Sequence, residues 1–278
     1  MYSTLSNLIY GSGVDPYAKF RSSDEIHSSA FVVTNLEKSI VRDCLERTGT
    51  DFWLEIGSMF GGSAIRTSQT AQEMGRELTV LCVDPFCGDV NMWEMNVSLQ
   101  ERKRAGILDG TAIYLDLEGA RPTLYDRFMS NVVGARLDSS ILPLSVTSMV
   151  GMRLLERLRE DGRLDRGPGV IYLDTAHEWY ETYIELVTAW RILAPGGVLI
   201  GDDYNWPSVN HDVQRFAQEH GVEIETKERV HWLIQKPLSV GYLPSPFFTR
   251  GYEDAATQWK SEDWQYDKAL DLDRIFFT

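Results

Sequence analysis

Five short runs of nearly uninterrupted apolar residues, at 52–56, 78–83, 140–144, 170–173 and 198–201, punctuate the chain. Between them lie stretches whose apolar residues recur every three or four positions. In 148–160, for example, Met149, Met152, Leu155 and Leu158 fall on one helical face. Runs too short for helices and apolar on both faces suit strands of a parallel sheet buried between two helical layers. The same periodicity predicts helices over 35–48, 62–75, 148–160, 179–193 and 208–220. Gly49 stops the first of these, and Pro195-Gly-Gly197 stops the fourth. Two further apolar segments, 222–226 and 230–235, read as a terminal hairpin pair. The expected architecture is α/β: a doubly wound, mostly parallel, seven-stranded sheet over residues 51–236.

Three regions fall outside this rhythm. Residues 1–50 read as a helical N-terminal cap. Residues 86–135 interrupt the alternation with Met92, Trp93, Met95 and many charges. A structureless loop of that length is improbable in a folded domain, so helices and a lid over a site are expected there. Residues 237–278 carry Tyr242, Phe247, Phe248, Tyr252, Trp259, Trp264, Tyr266, Phe276 and Phe277 with weak periodicity. This extension reads as a wrap over apolar surface, a pocket wall, or a contact that leaves room for a homodimer.

Composition narrows the functional classes. The net charge of −14 disfavours nucleic acid and anionic membrane as partners, because such a surface repels phosphates. Arg102-Lys-Arg104 is the one short basic cluster and reads as a solvated helix face. Cys44, Cys82 and Cys87 form neither a disulfide framework nor a zinc pattern, which fits a reducing, cytoplasmic setting. No secretory leader, membrane-length apolar run or internal repeat is visible. Neither a G-x-S-x-G elbow nor a P-loop is present, which leaves hydrolase and NTPase readings unsupported.

Candidate chemistry gathers where the apolar runs end. In an open parallel sheet, ligands bind beyond the carboxyl ends of the strands. The first run ends in Glu55-Ile-Gly-Ser-Met-Phe-Gly-Gly-Ser63, a turn that lets a ligand approach the backbone and the free N–H groups of the next helix. The second run ends at Asp84, an acid suited to a ribose. A turn of the form G-S-x-x-G-G, with an acid at Glu55, favours S-adenosylmethionine over a dinucleotide. Glu55 equally reads as a buried acid that orders the loop. Asp174 closes the fourth run, and Asp202 and Asp203 close the fifth. Neighbouring strand ends lie about 5 Å apart, and three carboxylates converging there suit a hard cation such as Mg²⁺. Asp202 or Asp203 reads alternatively as a turn cap. His177 follows Asp174 into the same cleft as a candidate base or a structural cap. His211 is a weaker candidate.

Together, 55–63, Val83-Asp-Pro85, Ile171-Tyr-Leu-Asp-Thr-Ala-His177 and Leu193-Ala-Pro-Gly-Gly-Val-Leu-Ile-Gly-Asp-Asp-Tyr204 resemble class I S-adenosylmethionine-dependent methyltransferases. The likeness spans about residues 50–236 and is greatest to the branch of catechol and macrolide-sugar O-methyltransferases. It implies the Rossmann-like methyltransferase fold. It also implies that Glu55, Gly57, Ser58, Gly61 and Ser63 hold the methyl donor, with Asp84 on its ribose. Residues 143–148, with Ser145 and Thr147, fall where that family meets adenine. Metal-dependent members match Asp174, Asp202 and Asp203. Catechol-type enzymes carry Asn and Lys where this chain has Asp203 and, approximately, His177, which weakens a catechol reading and suits a sugar or other small polar hydroxyl. The expectation is therefore an Mg²⁺-dependent O-methyltransferase for a small-molecule acceptor, with Asp174 and His177 as its catalytic pair. A metal-independent methyltransferase, an inactive S-adenosylmethionine-binding protein and, distantly, a nicotinamide enzyme are the alternatives.

Overall fold

The computed structural model describes residues 1–21, 34–94, 115, 117–175 and 177–243. Seven strands form the central sheet: β1 (Phe52–Ile56), β2 (Thr79–Val83), β3 (Ile141–Leu144), β4 (Val170–Leu173), β5 (Val198–Gly201), β6 (Glu225–Lys227) and β7 (His231–Gln235). Their order across the sheet is β3-β2-β1-β4-β5-β7-β6. The first five are parallel, and β7 runs antiparallel between β5 and β6. A two-residue antiparallel ladder, Leu117–Glu118 with Arg121–Pro122, lies apart from this sheet.

Eight helices are described by their bounds. These are α1 (Tyr2–Tyr10), α2 (Ala18–Arg21), α3 (Lys38–Thr48), α4 (Gly62–Glu73), α5 (Leu124–Gly134), α6 (Ser148–Glu160), α7 (Glu181–Ile192) and α8 (Pro207–His220). Alternation along each strand divides the core into two layers. Trp53, Val80, Cys82, Ile141 and Tyr172 pack with apolar residues of α3, α4 and α5. Phe52, Leu54, Ile56, Leu81 and Leu142 pack with α1, α6, α7 and α8. Both faces of β1 and β2 are fully covered, as their unbroken apolar runs require. Lys236 closes one end of this packing. It is buried, and its Nζ donates to the carbonyls of Trp190 (2.7 Å) and Leu193 (2.9 Å) at the end of α7.

The sequence expectations meet this frame with small shifts. α6, β4 and β5 fall on the expected residues. α3 starts three residues later than its apolar spacing suggested, behind an extended Glu37. α7 starts at Glu181, because Tyr180 takes a left-handed conformation (φ 72°) and cannot continue a helix. The hairpin strands are shorter than expected. Residues 1–50, expected to be helical, hold α1, α2 and α3. In the insert, α5 is a helix with Phe128, Met129 and Val132 in the core. Of the insert 86–135 in which a lid is expected, residues 95–114 and 116, the basic cluster at 102–104 among them, lie outside the described residues, as does the tail beyond Leu243. Among the described residues, no helix is long and apolar enough to cross a membrane.

Candidate functional site

Strand order reverses between β1 and β4, and the polar residues collect beyond the carboxyl ends of β2, β1, β4 and β5. Gly57 leaves β1 with φ 83°, and a Cβ there would overlap the carbonyl oxygen of Asp174 on the neighbouring strand end. The loop then folds back on Asp84. One Asp84 oxygen accepts from the Ser58 and Met59 amides, each at 2.8 Å, and the other accepts from the Phe86 amide at 2.5 Å. Gly61 caps α4 without a side chain, so the first amides of that helix lack a side-chain acceptor. Glu55 points to the α4 side of the sheet, fully buried, and accepts from Ser63 Oγ at 2.9 Å. Its second oxygen has no hydrogen-bond partner among the described residues. Burial pushes the Glu55 carboxyl up to about 8, against the pull of the Ser63 hydroxyl.

These loops frame two adjoining cavities. The first, about 390 Å³, is lined by apolar Ile56, Val83, Pro85 and Leu124 and by polar Asp84, Thr147, Ser148 and Glu185. The second, about 290 Å³, runs over Ser58, Gly62 and Ser63 to Asp174, His177, Asp202 and Asp203, with Asn35 on its wall. Gly57, Met59, Asp89, Met92, Asp174 and Thr175 border both.

Asp174, Asp202 and Asp203 each offer an oxygen, and the three oxygens lie within 4.8 Å of one another. Tyr172 OH donates to Asp174 at 3.1 Å. Burial, then the charges of Asp202 and Asp203, push the Asp174 carboxyl up to about 7. Burial also raises Asp202. Asp203 is held at φ 58°, a left-handed conformation that few residues with a side chain adopt and that Asp tolerates better than most. His177 Nε2 lies 2.6 Å from Asp203 Oδ2, and Nδ1 lies 3.7 Å from Asp89. Burial alone would lower the His177 pKa. Asp203, and after it Asp89, outweigh burial and raise it to about 10. The imidazole is thus a cation at neutral pH in this arrangement.

The structure brings Glu55, Gly57, Ser58, Gly61, Ser63 and Asp84 together, and Asp174, Asp202, Asp203 and His177 beside them. Thr147 lines the first cavity and also caps α6, accepting from Val150 N at 3.4 Å. Ser145 is exposed and lines neither cavity. His211 stands apart on α8, paired with Asp212 at 3.0 Å. Asp89 was missed from sequence because nothing in its spacing marks it. It accepts from Met92 N at 2.7 Å, faces His177, and is held below the usual carboxylate range chiefly by that imidazole.

The donor types fit the ligands that such a frame suggests. An orphaned buried carboxylate oxygen and free helix amides match the ammonium and carboxylate of an amino acid, and an apolar slot with Asp84 matches a nucleoside. Three converging carboxylates match a hard divalent cation. A doubly wound sheet with a glycine-turn cleft at its reversal point defines a nucleoside-binding α/β enzyme. The methyltransferase domain family profile matches residues 54–204, more than half of the sequence, and the chain belongs to that family, the S-adenosylmethionine-dependent methyltransferases. No curated protein matches it. Among solved structures, it is similar to an O-methyltransferase from Bacillus cereus in complex with SAH, at 12% identity and TM-score 0.47, covering 84% of this chain and 96% of that one. It is also similar to TomG of Streptomyces achromogenes, an O-methyltransferase in tomaymycin synthesis solved with SAM. There the identity is 11% and the TM-score 0.45, over 74% and 81% of the chains. The calicheamicin methyltransferase CalS11 matches at 12% identity and TM-score 0.44, over 72% and 80%.

Proposed function

We propose that this chain is a divalent-cation-dependent O-methyltransferase, Mg²⁺ being the natural ion, acting on a hydroxyl of a sugar or another small polar acceptor. The observation that carries the reading is the acidic triad, Asp174, Asp202 and Asp203, sharing a cavity with the glycine turn. When bound, S-adenosylmethionine supplies an electrophilic methyl group and the cation lowers the pKa of a coordinated hydroxyl.

The chain's own residues do the rest. The α4 amides receive the donor's carboxylate, Glu55 faces its ammonium, and Asp84 accepts from its ribose. Oδ2 of Asp84 is already filled by two amides, so Oδ1 is the oxygen with room for a ribose hydroxyl. Thr147 and the apolar lining of the first cavity take the base. The second cavity would take the donor's amino-acid end over Ser58, Gly62 and Ser63 and, beside it, the acceptor with its oxygen toward the triad, and most of the rate would come from this positioning. The bound donor would supply its methyl group, and His177 would be the residue placed to hold the hydroxyl proton. His177 could take it only when Asp203 is engaged elsewhere, since Nε2 already lies 2.6 Å from Asp203 Oδ2.

That same pair favours a second reading, a metal-independent enzyme in which His177 serves as a counter-ion to the triad. Methyl transfer from labelled S-adenosylmethionine to a hydroxyl acceptor panel, with and without EDTA, separates the two. Restoration of EDTA-quenched turnover by Mg²⁺ supports the first, and turnover indifferent to EDTA overturns it. No transfer despite tight donor binding points to an inactive binding protein.

A further inference from the structure

His231 opens β7 and is fully buried, yet neither ring nitrogen has a hydrogen-bond partner among the described residues. A buried polar group without a partner is costly and calls for an explanation. Its position supplies one. β5 and β7 are antiparallel with Gly201 opposite Trp232, so the next step along the ladder sets Asp202 opposite His231. The Nε2 atom lies 3.6 Å from Asp202 Oδ1, just beyond hydrogen-bond distance.

The backbone around the ring has little freedom. Tyr204 N donates to Val230 O at 2.8 Å on one side. On the other, the Trp232 indole packs against Gly201 so closely that any Cβ there would collide with it. The gap therefore closes by movement of the Asp202 carboxylate, not of the imidazole. Asp202 itself is 8% exposed and already accepts the Asp203 amide at 2.8 Å through the same Oδ1. Asn35 lines the same cavity as Asp202.

We infer that His231 is a positioning residue of the triad: its Nε2–H donates to Asp202 Oδ1 when Asp202 turns its other oxygen to a divalent cation. The ring touches neither acceptor nor donor. It fixes the orientation of one ligand from behind, and removal of such a partner typically weakens metal binding about 10- to 100-fold. This inference rests on the metal-dependent reading above.

The test is calorimetric titration of Mn²⁺ into the full chain, backed by the electron paramagnetic resonance of free Mn²⁺, for the wild type, His231→Phe and His231→Gln. His231→Phe keeps the volume and loses the donor, whereas His231→Gln keeps a donor near the Nε2 position. The expected result is weaker Mn²⁺ binding by about 10- to 100-fold for Phe, with much of it regained by Gln. S-adenosylmethionine affinity should stay unchanged in both, and the melting temperature without metal should be no lower for Phe than for the wild type. Equal Mn²⁺ affinity in wild type and His231→Phe overturns the inference while leaving the metal reading intact. No Mn²⁺ binding by the wild type overturns both. If His231→Phe fails to fold, His231→Gln binding Mn²⁺ more than about 100-fold weaker than wild type, with its melting point preserved, overturns the donor role.

Discussion

Gly57 and Asp174 meet backbone to backbone: the glycine turn passes so close to the Asp174 carbonyl that no side chain fits between them. The contact joins the glycine turn to the first acid of the triad, and both residues border both cavities. Gly57→Ala should therefore damage both. We expect a loss of at least about 2 kcal/mol in stability, because φ 83° and the overlap both oppose a Cβ, together with loss of donor binding. Chemical denaturation and donor calorimetry check this, and a variant with wild-type values in both contradicts the reading of the turn.

Asp174 and Asp202 should matter for transfer far more than for donor binding. Asp174→Asn and Asp202→Asn remove charge without removing volume. Transfer is expected to fall by about three orders of magnitude or more, as for loss of a metal's catalytic contribution, while S-adenosylmethionine affinity changes less than about threefold. A parallel loss of donor affinity would instead assign these acids to the donor site.

Asp84 holds the loop as well as facing the first cavity. Asp84→Ala leaves the Ser58 and Met59 amides without an acceptor, and a charge-assisted bond of this kind is worth about 2 kcal/mol, or about 30-fold in donor affinity. Asp84→Asn keeps one carbonyl acceptor and should lose less. If calorimetry finds the two variants alike, the loop amides are not what Asp84 serves.

Glu55 gives stability a pH dependence of a definite sign. Its folded-state pKa, about 8, lies above the ordinary 4.5, so the folded protein binds the proton more tightly than the unfolded chain. The resulting stabilisation is complete below about 4.5 and is lost as pH rises through about 8. The ligand-free melting temperature of the wild type should thus fall more steeply between these limits than that of Glu55→Gln. Parallel melting curves across that range would show Glu55 to be ionised throughout.

Much of this was legible along the chain because parallel strands buried on both faces leave unbroken apolar runs, and because functional groups in such sheets sit where the runs end. Glu55, Asp84, Asp174, Asp202 and Asp203 were readable on that rule alone. The α7 start was not. Tyr180 is an ordinary residue in a left-handed conformation, and propensity does not reveal where tertiary packing enforces one. Asp89 and His231 left no signal either, since each gains meaning only from a partner more than twenty-five residues away.

The sequence by itself determined the layered α/β frame, its strand count and the chemistry at the strand ends, since periodicity and local residue type are properties of contiguous chain. Only the tertiary structure decided how those groups are occupied: Asp84 by loop amides, Asp203 by His177, Glu55 by Ser63, with His231 behind Asp202. Charge, burial and hydrogen bonding act through space. The state of each carboxylate therefore depends on neighbours that the order of residues does not name.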